Sequence, residues 1–134
     1  MPRSAESFVS TLKAQGYSQF VGVPCSYLTP LIDYLIDRQP ASYIPVNNEG
    51  EAVAYAVGTE IAGVNSVVFM QNSGLGNAWN PLVSLAYPLR SPFLILCTWR
   101  GRPGEPDEPQ HELMGQITLP IFSSTPIPAR VLGD

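Results

Sequence analysis

The pattern of apolar and polar positions divides this chain into short strands that alternate with helices. Compact apolar runs, which are typical of buried strands, lie at 19–23, 43–46, 66–70 and 92–98. The run from Pro92 to Thr98 is nearly continuous, so we expect a strand buried on both faces. Between the runs, apolar residues recur at helical spacing. This alternation predicts an α/β fold, a doubly wound parallel sheet with helices on both faces.

Capping residues and helix breakers mark the ends of four predicted helices. The marks are Ser4 and Gly16 for the first, Cys25-Ser26 and Pro40 for the second, Asn48 and Gly63 for the third, and the turn Gln71–Asn77 with Leu85 for the fourth. From Trp99 to Gln110, proline and charged residues predict a loop that is too long to be a simple connector. After Gln116 the pattern weakens, although 129–132 could form a last strand.

Composition limits the classes of function. The chain has 134 residues, which predicts one domain spanning 1–134. Because 45% of the residues are hydrophobic and only 13% are charged, part of the surface is expected to be covered by another subunit or domain. A net charge of -4 with scattered signs argues against nucleic-acid binding. No apolar run is long enough to span a membrane, and no signal-peptide core is present.

The cysteine and histidine content gives no metal site. Cys25 and Cys97 form neither a CxxC pair nor a metal-binding spacing, which indicates reduced thiols and a cytoplasmic location. A single histidine cannot form a zinc cluster. No metal ligand is therefore predicted in this chain.

Glu49 lies where a predicted strand meets a predicted helix, the position at which parallel α/β sheets present ligands. Asn48 can cap the helix, and Glu51, three residues on, can close a capping box. By spacing alone, the favoured explanation of Glu49 is an acid that stabilises the helix dipole, which is the more common role of an acid in the first turn of a helix.

Two motifs give a family resemblance. The segment Glu49–Ala54 and the run Gln71–Asn77 resemble the pyrimidine-binding (Pyr) domain of thiamine-diphosphate enzymes, in particular the phosphonopyruvate and sulfopyruvate decarboxylase group. The resemblance implies that Glu49 is catalytic and contacts N1′ of the aminopyrimidine. It also implies a set of cofactor-binding residues, with Leu75 in place of the proline of the wider family's Ser-Gly-Pro-Gly turn: Pro24, Glu49, Asn72, Ser73, Gly74 and Leu75.

Two further segments extend the resemblance to the substrate. The string Asp107–His111 is similar to a family segment, which implies that Arg100 or Arg102 binds an anionic substrate group and that His111 moves a proton. The alternative is a solvated loop whose arginines pair with its acids. Many relatives carry Asp at the position of Cys25, so protonation would fall to Ser26 with a water, or to His111; Cys25 is equally explained as a core residue.

The resemblance implies the pyrimidine-binding half of a decarboxylase that converts phosphonopyruvate to phosphonoacetaldehyde and CO2. Alternatives are the alpha subunit of sulfopyruvate decarboxylase and a non-catalytic flavodoxin-like binding module. In the family, a second (PP) domain with a Gly-Asp-Gly motif binds the diphosphate and Mg2+, and that motif is absent from this sequence. We therefore expect activity only with a PP-domain subunit or a missing C-terminal domain, in a homo- or hetero-oligomer. Natural splitting and truncation both remain open.

Overall fold

The computed structural model describes residues 4–132 and divides the chain into two compact units, one up to Thr98 and one from Trp99 onwards. The first unit contains a four-stranded sheet, which begins with β1 (Tyr17–Gly22), and the helices that cover it. The strands are β1, β2 (Tyr43–Pro45), β3 (Asn65–Gln71) and β4 (Leu94–Thr98); the helices are α1 (Ala5–Ala14), α2 (Thr29–Arg38), α3 (Glu49–Ile61) and α4 (Leu75–Pro81), which continues as a π-helical turn (Leu82–Ala86). The second unit contains α5 (Pro109–Ser123).

The four strands form one parallel sheet in the order β2-β1-β3-β4. On one face, Phe20, Val67 and Phe69 join a core cluster with side chains of α1 and α2. The alternate residues Val21 and Val68 are also fully buried and point to the other face. There α3 packs on β1 and β3, with α4 beside it. The predicted doubly wound α/β fold is confirmed.

Local capping follows the sequence signals closely. The Ser4 side chain accepts a hydrogen bond from the Ser7 backbone N–H at the start of α1. The Asn48 side chain accepts one from the Gly50 N–H at 2.7 Å at the start of α3. Glu51 accepts from the Asn47 N–H at 3.3 Å, so the second half of the capping box reaches one residue further back than expected. Gly16 and Gly63, both at positive φ, follow the ends of their helices.

Three sequence predictions about the later part of the chain are wrong. The strand β4 is half-buried, not buried on both faces, because it lies at the end of the sheet and has one neighbouring strand. Residues 129–132 form no strand. The loop ends at Glu108, two residues earlier than expected, and the helix α5 that follows was not predicted. Pro109 occupies the first position of this helix, where its missing N–H costs nothing, whereas sequence analysis assigned it to the loop.

Within residues 4–132, no helix combines the length and apolar character needed to cross a membrane.

Candidate active site

Glu49 is the first residue of α3, and its side chain is buried against the turn that follows β3. The residue is 9% exposed. One carboxylate oxygen, Oε2, accepts a hydrogen bond from Asn77 Nδ2 at 2.8 Å. The other oxygen, Oε1, lies beside Gly74 and has no hydrogen-bond partner among residues 4–132. The structure therefore brings the first and second sequence motifs together around one carboxylate with one oxygen available.

Two glycines make this close packing possible. A Cβ at Gly74 would overlap the Glu49 carboxylate, so only glycine fits beneath that side chain. A Cβ at Gly50 would lie 3.0 Å from the Asn77 carbonyl oxygen and 3.2 Å from Pro81 Cγ. The start of α3 thus lies directly against α4, and Glu49 is held between the two helices and the turn.

The turn Asn72–Gly74 follows β3 at the carboxyl edge of the sheet. Asn72, Gly74 and Leu75 are buried, and Ser73 is exposed. Gln71 Nε2, in the residue before the turn, donates a hydrogen bond to Oγ of Ser73, the second residue of the turn, at 2.7 Å. Since parallel strands present ligands at their carboxyl ends, the turn lies where the fold class predicts a site.

A small polar cluster surrounds Cys25 at the same edge of the sheet. The Cys25 thiol is buried; it donates to Gln71 Oε1 at 3.6 Å and lies 3.4 Å from Thr98 Oγ1. Sequence analysis did not select Gln71 or Thr98 as candidate site residues, although each is the polar last residue of an apolar strand, which is a detectable signal. The neighbours of Cys25 in sequence, Pro24 and Ser26, are both exposed.

The second cysteine belongs to β4. Burial, with a smaller contribution from the nearby Cys25, raises the pKa of the Cys97 thiol to about 12. The thiol therefore stays protonated at neutral pH and acts as an apolar side chain of the sheet. Both cysteines are free.

In the second unit, Arg100 and Asp107 form a bidentate ion pair. Arg100 Nε and Nη2 donate to the two Asp107 oxygens at 2.8 and 2.5 Å. Asp107 also accepts from the Gly101 and Glu108 N–H groups at 2.7 and 2.8 Å. The Arg100 hydrogen bonds, followed by those backbone N–H groups, hold the pKa of the Asp107 carboxyl well below its usual range. Asp107 is thus the acceptor that organises the loop.

The other residues predicted to contact substrate lie around this loop. Arg102 pairs with Glu105 at 3.2 Å, and its guanidinium lies 5.5 Å from the centre of the Trp99 ring. His111 is in the first turn of α5 and is half-buried. The loop and the start of α5 border a groove of about 500 Å3. The structure therefore pairs both arginines with acids of the same loop, the arrangement that the alternative interpretation expected.

Comparisons with known proteins identify the family of this chain. Residues 2–119 match the family described as "Thiamine pyrophosphate enzyme, N-terminal TPP binding domain", and the chain belongs to that family. It is 50% identical over 119 residues to a phosphonopyruvate decarboxylase of Streptomyces hygroscopicus, an alignment that covers 89% of this chain and 30% of that protein. The chain therefore spans about a third of the length of this relative.

Two further relatives are informative. A phosphonopyruvate decarboxylase of Streptomyces viridochromogenes is 52% identical over 114 residues, covering 85% of this chain and 29% of that protein. A sulfopyruvate decarboxylase subunit alpha of Methanothermobacter thermautotrophicus is 36% identical over 128 residues, covering 95% of this chain and 76% of that subunit. The predicted resemblance to this decarboxylase group is confirmed.

The residues around Glu49 suit the pyrimidine end of thiamine diphosphate. The ring nitrogen N1′ needs a carboxyl group that is shielded from water and has an oxygen to spare. Glu49 is buried and has one carboxylate oxygen without a hydrogen-bond partner among residues 4–132, and Gly74 lets the turn pack directly against that carboxylate. Within residues 4–132, no group of three or more His, Cys, Asp or Glu side chains could hold a metal ion.

Proposed function

We propose that this chain supplies the pyrimidine-binding half of a thiamine-diphosphate-dependent decarboxylase that converts phosphonopyruvate to phosphonoacetaldehyde and CO2. The observation that carries the proposal is the buried Glu49 carboxylate, whose Oε1 lies beside Gly74 without a hydrogen-bond partner among residues 4–132. The chain shares 50% and 52% sequence identity with two phosphonopyruvate decarboxylases, which supports the choice of substrate.

Glu49 has the central role in this proposal. Thiamine diphosphate, when bound, supplies the electron sink that accepts the electrons released as a 2-oxo acid loses CO2. Glu49 would hold a proton between Oε1 and N1′. Asn72, Ser73, Gly74 and Leu75 would line the pyrimidine side of the site, together with Pro24.

Substrate binding is proposed for two groups of residues. Cys25 and Ser26 follow β1 at the carboxyl edge of the sheet, where a 2-oxo acid could meet them. In the second unit, Arg102 is the more available arginine for a phosphonate, because its side chain is 38% exposed while that of Arg100 is 13% exposed. Arg100 would have to release Asp107 before binding a substrate. His111 is proposed to move the proton that the product requires.

The rest of the cofactor site is proposed to lie in a partner domain or subunit. In this scheme residues 1–134 act as a single pyrimidine-binding domain, and a PP domain holds the diphosphate and Mg2+. The support is the coverage: the chain matches about 30% of two decarboxylases and 76% of a protein named as a subunit alpha. The two free cysteines are consistent with a cytoplasmic location for the assembled enzyme.

A second candidate is the alpha subunit of a sulfopyruvate decarboxylase. It is favoured by the match to the Methanothermobacter subunit, which extends over 95% of this chain. A phosphonate and a sulfonate are both tetrahedral anions, so the same residues could bind either. A non-catalytic flavodoxin-like module is the third possibility, and it would make the burial of Glu49 purely structural.

A decarboxylation assay of the assembled enzyme tests the proposal. Phosphonopyruvate, sulfopyruvate and pyruvate are compared, and we expect the highest kcat/KM with phosphonopyruvate. Glu49→Gln should lower turnover by about 10²- to 10⁴-fold, because the amide cannot transfer the proton. Glu51→Gln is the matched control, since Glu51 is exposed and contacts only the Asn47 N–H. Turnover of Glu49→Gln within about tenfold of the unmodified enzyme would sink the assignment.

A further inference from the structure

Asn77 is the residue through which α4 reaches the Glu49 carboxylate. It lies in the first turn of α4, and its Nδ2 donates to Glu49 Oε2 at 2.8 Å across 28 positions of sequence. The close approach of the helices at Gly50, whose Cβ would lie 3.0 Å from the Asn77 carbonyl oxygen, lets so short a side chain span the gap. The bond therefore joins two rigid elements.

This hydrogen bond makes the two carboxylate oxygens chemically different. The hydrogen bond from Asn77 Nδ2 occupies a lone pair of Oε2, and a carbonyl oxygen accepts such a bond better than the hydroxyl oxygen of a protonated carboxyl group. A proton carried by the Glu49 carboxyl group is therefore favoured on Oε1. Oε1 is the oxygen that lies beside Gly74 without a hydrogen-bond partner among the described residues.

We propose that Asn77 is a positioning residue that directs the proton of Glu49 to Oε1 and aims that oxygen at the pyrimidine nitrogen of the cofactor. This inference rests on the proposed function of the chain. Asn77 contacts neither the cofactor nor the substrate in this role; it acts through Glu49. A purely structural role would instead make Asn77 a tie between α3 and α4.

Calorimetric titration of the assembled enzyme separates these two roles. The unmodified enzyme is titrated, with Mg2+ present, with thiamine diphosphate and with an analogue in which N1′ is replaced by C–H. The analogue keeps the diphosphate and the ring shape but offers nothing to Glu49. Asn77→Ala should weaken binding of thiamine diphosphate about tenfold, the loss expected for a hydrogen bond to a charged group. Binding of the analogue should not change.

A second variant distinguishes shape from hydrogen-bond donation. Asn77→Asp keeps the side-chain shape but lacks the N–H donor, so it should lose at least as much affinity for thiamine diphosphate as Asn77→Ala. The matched control is Asn80→Ala, one turn further along α4, which removes only an exposed hydrogen bond from Ser84 Oγ. It should bind both compounds as the unmodified enzyme does. Thermal melting confirms that each variant is folded, and if only the Asp variant folds, that variant decides.

Each remaining outcome counts against the proposal. Equal weakening of both compounds would make Asn77 a structural tie, and retained affinity in Asn77→Asp would make it a space-filling residue. Unchanged affinity in Asn77→Ala would overturn this inference while leaving the proposed function intact. If the unmodified enzyme bound neither compound, the proposed function would fail, and this inference with it.

Discussion

The Glu49 carboxylate occupies the space that a side chain at position 74 would need. A residue larger than glycine at this position would therefore displace the carboxylate. The φ and ψ angles of Gly74 are ordinary helical values, -69° and -12°, which any residue can adopt. Glycine is required here by the space beneath Glu49, and not by the backbone. A side chain at this position acts on the site through steric overlap alone.

We predict that Gly74→Ala lowers turnover about a hundredfold, because displacing a reacting group by about an ångström is enough for such a loss. Gly76→Ala is the control: a Cβ there meets nothing within 4 Å. In α4 it should raise the free energy of unfolding by about 0.5 kcal/mol. Turnover and urea unfolding measured on both variants check this. Equal activity of the two variants would contradict the close packing at Glu49.

At the scale of single residues, the sequence predicted which segments would meet around Glu49. Glu49 and the turn from Asn72 to Leu75 were identified by resemblance, and the structure brings them together. The contact from Asn77 to Glu49 was not predicted, because it spans 28 positions and depends on how two helices pack. The sequence left open whether Arg100 binds a substrate anion or a neighbouring acid, because charge content alone does not identify the partner of an arginine. In the structure that partner is Asp107.

Among the elements, the loop from Trp99 to Glu108 is organised by Asp107 rather than by apolar packing. This carboxylate accepts hydrogen bonds from Arg100 and from the Gly101 and Glu108 N–H groups. The pKa of Asp107 is lowered in the folded chain, so its ionised carboxylate stabilises the fold at pH values above its ordinary pKa of 3.8. This stabilisation is lost as the pH falls further towards the folded-state pKa.

We predict that Asp107→Asn reduces the dependence of stability on pH in the acid range. The amide keeps the side-chain shape but cannot ionise. The part of the acid-induced decrease in the free energy of unfolding that comes from residue 107 should therefore disappear. Urea unfolding at about pH 6, 4 and 3 measures this, with Glu105→Gln as the control because that acid is 59% exposed at the side chain. An identical pH dependence in Asp107→Asn and the unmodified chain would be contrary to expectation.

Elements were predicted well where apolar periodicity is strong and poorly where it is not. The four strands and the helices up to Leu85 follow clear alternation. The helix α5 was missed because Pro109 and Pro120 read as breakers and apolar residues are spread around the whole helix; Leu113 is 67% exposed. Its Gly115 packs against the Gly101 carbonyl, a reason for glycine that no sequence pattern reveals.

At the scale of the whole molecule, the outer face of α3 carries a stripe of small and apolar residues. Ala54 and Gly58 are exposed, and Ile61 is 78% exposed. A Cβ at Gly58 would meet nothing within 4 Å, so a flat surface could approach the helix closely. Only 13% of the residues in the chain are charged, and an exposed apolar stripe of this kind is typical of a surface that contacts another protein.

We predict that this stripe is covered by a second copy of the chain. Sedimentation of the unmodified protein should give a mass above that of one copy. Gly58→Glu combined with Ile61→Lys should reduce it, because charged side chains would be buried in the contact. Ile36→Lys, at an exposed apolar position on α2, is the control. A single-copy mass for the unmodified protein would refute the prediction.

The π-helical turn at Leu82–Ala86 has a consequence for the evolution of this family. Such a turn holds one residue more than an α-helix of the same length, as its hydrogen bond from the Tyr87 N–H to the Leu82 carbonyl reflects. Deleting one residue there would let the helix close as a regular α-helix. The turn Asn72–Gly74 has no extra residue that could be deleted in this way, because Gly74 lies against Glu49. Changes of length among related genes should therefore accumulate at 82–86 and spare 72–74.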